Sequence, residues 1–208
     1  MTKMNQTTER INYKAKDFFG SLVPQRSCGD CTVCCVELKI ETAEISKEPG
    51  LPCEYKTEKG CGIYNDRFPI CHSFHCLWRY IEAMPDEARP DRLGIMFGLA
   101  QPNKPENIFH SCYIHALAFD DSAALEAKLA IQQLDMLAQG QLPIWASIPN
   151  HSLYLIHPKE EIVAAVMQPT DNHSWVSLIA AKQWSTGLRK KTIGWKQLLR
   201  KVFSKNDP

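Results

Sequence analysis

Apolar and polar positions recur along this chain with two different periods, and the changes of period mark out its elements. Residues 7–20 place Ile11, Ala15, Phe18 and Phe19 on one face at helical spacing, with Gly20 as a stop. Residues 36–40 alternate, with Val36, Leu38 and Ile40 set against Glu37 and Lys39, and predict a short strand. Residues 41–46 can make one helical turn before Pro49 and Gly50 break it. The polar stretch 54–60 predicts a turn that brings Cys53 and Cys61 together. Residues 77–81 continue a helical period from Phe74 and end before Pro85. On one helix Cys71 and Cys76 would lie about 140° apart, so Cys71 is expected before the helix proper.

The second half reads as hairpin, helix, hairpin, helix. Residues 93–100 and 108–117 flank a turn rich in proline and asparagine, and Cys112 is expected mid-strand, buried on a face with His110 and Ile114. The clearest helix covers 122–139, capped by Asp121 and Ser122, with Leu125, Leu129, Ile131, Leu134 and Leu137 on its apolar side and Gly140 at its end. Residues 143–148 and 152–156 make a second hairpin, and 158–167 a short helix. The fold class predicted is α+β: a metal-stabilised cysteine-cluster subdomain, then an antiparallel sheet of two hairpins with flanking helices.

Cysteine changes the picture most. Eight of the nine lie within residues 28–76: Cys28, Cys31, Cys34, Cys35, Cys53, Cys61, Cys71 and Cys76. The first four form a C-x2-C-x2-C-C run, and buried structural cysteines are normally scattered rather than bunched. Disulfides or metal remain. C-x2-C lets two thiolates close on one ion, and residues 1–12 are polar, without the apolar core of a secretory signal. No stretch approaches a membrane span. Cytoplasmic, reduced thiols binding metal are therefore the expectation. Adjacent residues such as Cys34 and Cys35 point apart, which implies two centres or one polynuclear cluster. Eight thiolates can fill two zinc sites, or four can wrap a 4Fe-4S cluster as C-x2-C-x2-C does in ferredoxins. Thiolate is soft enough for both metals.

Residues 61–76 complete a pattern that resembles the CxxCxxCC family of zinc- or iron-chelating domains, the YkgJ-type cysteine cluster. That pattern ends C-x-I-Y-x-x-R-P-x-x-C-R-x-F-x-C, which Cys61, Ile63, Tyr64, Arg67, Cys71, Phe74 and Cys76 match in order and spacing. Phe68 replaces the family proline, with Pro69 one place later, and His72 stands where arginine is usual. The resemblance covers about a quarter of the chain and implies that all eight cysteines are metal ligands. Flagellin lysine methylases carry a related motif with an iron–sulfur cluster, which the resemblance brings in as a second implication. Tyr64 and Arg67 are expected beside the ligands, where an arginine offsets thiolate charge. His72 and His75 are expected to hydrogen-bond nearby or face solvent.

Charge is polarised. Five basic and eight acidic residues give 28–76 a net of −3, whereas eight basic residues and one aspartate give 182–208 a net of +7. Trp195, Leu198, Leu199, Val202 and Phe203 make an apolar stripe flanked by Lys196, Arg200, Lys201 and Lys205. Such a helix can contact nucleic acid or an anionic membrane, but apolar stripes usually pack on a core, so docking within the molecule is the expectation. Three regions result: 1–86 with the cysteines, 87–181 with the sheet, and the basic helix of 182–208. No nucleophile–base pair, P-loop or dinucleotide fingerprint is present. The leading expectation is a protein chelating zinc or iron, with metal ions as its defined partners. The alternative is an iron–sulfur enzyme or an accessory factor in protein modification.

Overall fold

The computed structural model describes residues 14–102, 108–119, 123–140, 142–148 and 153–156. The expectations for 158–167 and for the basic helix of 182–208 lie outside these residues, as do the caps at Asp121 and Ser122. No helix of the described residues is long and apolar enough to cross a membrane.

The first half of the chain uses very short elements. Helix α1 is Ala15–Phe19 and α2 is Val33–Glu37; strands β1 (Ile40–Glu41) and β2 (Ser46–Lys47) pair antiparallel, as do β3 (Lys56–Thr57) and β4 (Gly60–Cys61); α3 is Pro69–Ser73. The helix read over 7–20 is therefore described only for its last turn. The strand read over 36–40 is a correction: α2 takes Val36 and Glu37, and the paired strand begins only at Ile40. An alternation three apolar residues long does not hold a strand when the chain is instead wound to bury Val33. The helical turn read over 41–46 is likewise replaced by a tight hairpin turn. There the Thr42 hydroxyl accepts the amides of Glu44 and Ile45 at 3.3 and 3.1 Å, and such local side-chain bonds compete with helix. The turn expected between Cys53 and Cys61 is present as the β3–β4 hairpin.

Cys71 lies inside α3 rather than ahead of a helix, because Pro69 starts a separate helix at its first turn. Cys76 precedes a 3-10 turn, Leu77–Arg79, that replaces the longer helix read over 77–81. A second 3-10 turn, Asp86–Ala88, leads into α4, Pro90–Leu93. Gly94 closes α4 in the left-handed conformation, with φ 77°.

The sheet follows. Strands β5 (Ile95–Ala100) and β6 (Tyr113–Ala118) pair antiparallel from Ile95–Ala118 to Ala100–Tyr113, giving the first expected hairpin. Residues 108–110 form a 3-10 turn rather than strand, so Cys112 sits just ahead of β6. Cys112 is buried in the main core, while His110 stacks on Tyr113 toward the opposite side. The helix read over 122–139 is broken into α5 (Ala123–Glu126) and α6 (Lys128–Ala138) by extended backbone at Ala127, φ −59° and ψ 141°. Leu125 and the α6 residues Ala130, Leu134 and Leu137 then enter one core. Strand β7 (Ile144–Ser147) pairs antiparallel with β8 (Tyr154–Ile156), as expected for the second hairpin.

The class is α+β, but the sheet is not wholly antiparallel. In the order β5-β6-β7-β8, the central β6 and β7 run parallel, Ile114 opposite Ile144. The helices between them carry the chain back before β7 begins, and a helical crossover is the usual way to join parallel strands. One face of the sheet holds Ile95, Phe97, Ile114, Ala116, Ile144, Ala146 and Ile156 against α6. Leu77, Trp78, Met84, Ala88 and Leu93 belong to this same core, so the segment directly after Cys76 is anchored beneath the sheet. Phe109, Tyr113, Trp145 and Leu155 form a smaller cluster, tied by a bond of 2.8 Å from Trp145 Nε1 to the carbonyl of Phe109.

Candidate metal centre

The C-x2-C run starts as a tight turn. Gly29 has φ 55°, and the amide of Cys31 donates to the carbonyl of Cys28 at 2.9 Å. Arg89 holds this turn from outside, pairing with Asp30 at 2.8 Å and with Asp91 of α4 at 2.6 Å. That contact holds the Asp30 carboxyl below its usual range. Helix α2 then presents Cys34 and Cys35 in succession, about 100° apart around its axis.

The end of α2 is held by a residue the sequence did not advertise. Lys47 Nζ donates to the carbonyls of Val36, Leu38 and Glu48 at 2.8, 2.6 and 3.0 Å. Lys47 is only 9% exposed, and burial lowers its pKa. A cation at carbonyls that a helix leaves unpaired is favourable twice over, through hydrogen bonds and through the helix dipole. The amide of Cys53 donates to the carbonyl of Cys35 at 2.8 Å, which brings the third segment alongside α2. The β3–β4 hairpin delivers Cys61, and α3 delivers Cys71.

All eight cysteines of residues 28–76 are free and half-buried. Seven of them, Cys28, Cys31, Cys34, Cys35, Cys53, Cys61 and Cys71, line one cleft of about 180 Å³. Its remaining walls are largely apolar, with Ile40, Ile63 and Phe68 among them. A smaller cavity of about 30 Å³ is lined by Cys28, Cys31, Cys34 and Cys76. Cys112 lines neither. Among the described residues, no three His, Cys, Asp or Glu side chains stand closed on a common point as a finished metal site.

The chemistry of the donors fits a soft cation. Burial raises the thiols of Cys31 and Cys71 and pushes Cys76 up to about 12. Cys34 is raised because it donates its S–H to Cys35 in a partly dry site, and Cys35, accepting that bond near Lys47 and Arg67, is lowered. Desolvated thiols in a group shed protons when a cation takes their place, and soft divalent metals or iron–sulfur iron are the ions that thiolates prefer. Unpaired donors are present as well. The guanidinium of Arg67 lies 3.9 Å from the centre of the Tyr64 ring, and both residues line the larger cleft. Arg67 Nε is buried without a hydrogen-bond partner, and so is Arg79 Nε.

Arg79, like Lys47 and Arg89, went unnoticed in the sequence. Its Nη1 lies 3.8 Å from Cys28 Sγ, and it borders the smaller cavity. Its place three residues after Cys76 was the available signal. His75 borders the same cavity with its ring edge toward Tyr80, and burial followed by Arg79 lowers its pKa. His72 is exposed. The sheet carries one further polar pair, His115 Nε2 and Ser147 Oγ at 2.8 Å across β6 and β7, away from the thiols.

No protein-family model matches the chain, and neither a curated protein nor a solved structure matches it.

Proposed function

We propose that this chain is a cytoplasmic metal-binding protein that chelates zinc or iron through the thiolates of Cys28, Cys31, Cys34, Cys35, Cys53, Cys61, Cys71 and Cys76. One observation carries the reading: thiols from four separate stretches, 28–35, 53, 61 and 71, converge on a single cleft. Packing alone does not gather free cysteines in this way, since each behaves as a small apolar group with no preference for its own kind. The buried, unpaired Nε atoms of Arg67 and Arg79 support it further, because each can donate to a thiolate sulfur. The match of residues 61–76 to the CxxCxxCC pattern agrees with the same reading.

Zinc held here would supply folding energy, and an iron–sulfur cluster would supply one-electron chemistry. The chain's own contribution is to exclude water, orient the sulfurs from short rigid turns, and offset thiolate charge with Arg67 and Arg79. A second reading, an iron–sulfur enzyme or an accessory factor in protein modification, is favoured by the apolar walls that share the cleft with the thiols. Elemental analysis and visible absorption of protein purified without oxygen test both. Bound zinc in a colourless protein supports structural chelation, and a brown protein containing iron and sulfide supports the cluster. A reduced, folded protein that binds neither metal overturns the proposal.

A further inference from the structure

We propose that the eight thiols divide into two four-thiolate sites, Cys28, Cys31, Cys34 and Cys76 in one and Cys35, Cys53, Cys61 and Cys71 in the other, each with its own arginine. The proposal rests on the metal-binding reading and gives it an internal architecture.

The cavities carry the division. Cys76 borders only the smaller cavity, and Cys35, Cys53, Cys61 and Cys71 border only the larger cleft. Cys28, Cys31 and Cys34 border both, so they form the wall between the two spaces. Three wall thiols plus Cys76 make four, and the thiols left on the far side make four. The seam falls between Cys34 and Cys35. Neighbouring residues on α2 project about 100° apart, so one turn of helix can serve two centres, and the contact between the Cys34 and Cys35 thiols lies at the seam between them.

Backbone hydrogen bonds follow the same line. Cys28 and Cys31 are joined within one turn, and Cys53 is joined to Cys35. Four tetrahedral thiolate donors are the standard set for structural zinc. Three closely spaced cysteines with a remote fourth also match the way a cubane cluster is wrapped, so the division holds for either metal.

The arginines are distributed in the same way. Arg79 borders only the smaller cavity and reaches Cys28, while Arg67 borders only the larger cleft. Each keeps one buried N–H without an acceptor. A divalent ion with four thiolates carries a net charge of about −2, so a guanidinium beside each site offsets part of it and gives the spare N–H a sulfur to bond. Arg67 and Arg79 are thus positioning residues, one to a site.

The whole 208-residue chain, reduced and loaded with cadmium, tests this by metal content and cadmium nuclear magnetic resonance. Two cadmium ions per chain and two thiolate-type resonances are expected. Cys28→Ser and Cys76→Ser should each remove or shift one resonance, and Cys53→Ser and Cys61→Ser the other. Arg79→Gln should move only the first and Arg67→Gln only the second. Because the arginine variants keep every ligand, they carry the assignment even if a cysteine variant fails to fold. If Cys76→Ser and Cys53→Ser disturb the same resonance, or the two cadmium signals couple through a shared sulfur, the thiols form one polynuclear site and the division is overturned. If the wild-type chain binds no cadmium at all, the metal-binding reading itself falls.

Discussion

Gly60 backs directly onto Gly29: a Cβ placed on Gly60 would overlap the carbonyl oxygen of Gly29. The β3–β4 hairpin can therefore press against the C-x2-C turn only where a side chain is missing. Gly60 also has φ 113°, a conformation that L-residues rarely adopt. Gly60→Ala should destabilise the protein by on the order of 1–3 kcal/mol and lower its metal content, because the hairpin must retreat from the turn. Gly50 is the control, since it shares a positive φ of 77° but has open space around its Cβ position. Gly50→Ala should cost less, about 1 kcal/mol, with metal content unchanged. Equal effects in denaturant unfolding would mean that the close approach to Gly29 does not matter.

The ligand assignment separates one cysteine from eight. Changing any of the eight thiols of residues 28–76 to serine should lower metal content measured after desalting. Cys112→Ser should leave it unchanged, because Cys112 lies in the main core and borders neither cavity. A Cys112 variant as depleted as Cys31→Ser would show that the ligand set is wrong.

Folding of the cysteine region should depend on metal. Its strands are two residues long, and Val33 and Ile45 are its only buried apolar side chains between residues 28 and 76. Binding energy in such a region is largely folding energy. A strong chelator under reducing conditions should expose residues 28–76 to proteases while residues of the sheet stay protected. Identical digestion patterns with and without chelator would contradict this.

Much of the sheet was legible because its two hairpins and α6 carry long, regular apolar patterns. Period fixes which face is buried, but not how strands from separate hairpins meet, and so the parallel pairing of β6 with β7 was not visible. The cysteine region behaved in the opposite way. Its gathering of thiols was plain from spacing, whereas its elements were misread at residues 36–40 and 41–46, where segments of about five residues are decided by tertiary contacts. Lys47 and Arg79 show why the full site could not be read. Each is an ordinary surface residue by sequence, and each acquires its role only when distant backbone or sulfur folds against it.

The sheet contains a pH-sensitive group. His115 is largely buried beside Ser147, and burial lowers its pKa to about 4 from an ordinary value near 6.5. A depressed histidine stays neutral in the folded state while the unfolded chain takes up a proton, so stability is lost as pH falls through about 6.5 and the loss levels off near 4. Between about pH 7 and pH 5 this one group should remove about 2 kcal/mol. His115→Gln should flatten that part of the stability profile, measured by denaturant unfolding at each pH. A variant with the same acid slope as the wild type would assign the sensitivity elsewhere.

Arg26 fastens the two ends of the cysteine region to each other. Its guanidinium donates to the carbonyls of Trp78, Ile81, Glu82 and Met84 and lies 4.8 Å from the centre of the Trp78 ring. The contact joins residues 52 positions apart in the chain, one just before Cys28 and the other just after Cys76. A clasp of that span closes a loop whose entropy cost is about 4 kcal/mol, growing only slowly with length. While it holds, all eight thiols are tethered within one short circuit of chain, and their concentration relative to one another is set by the protein rather than by the solution. On the proposed metal-binding reading, an arriving ion would meet sulfurs already confined to one stretch of chain.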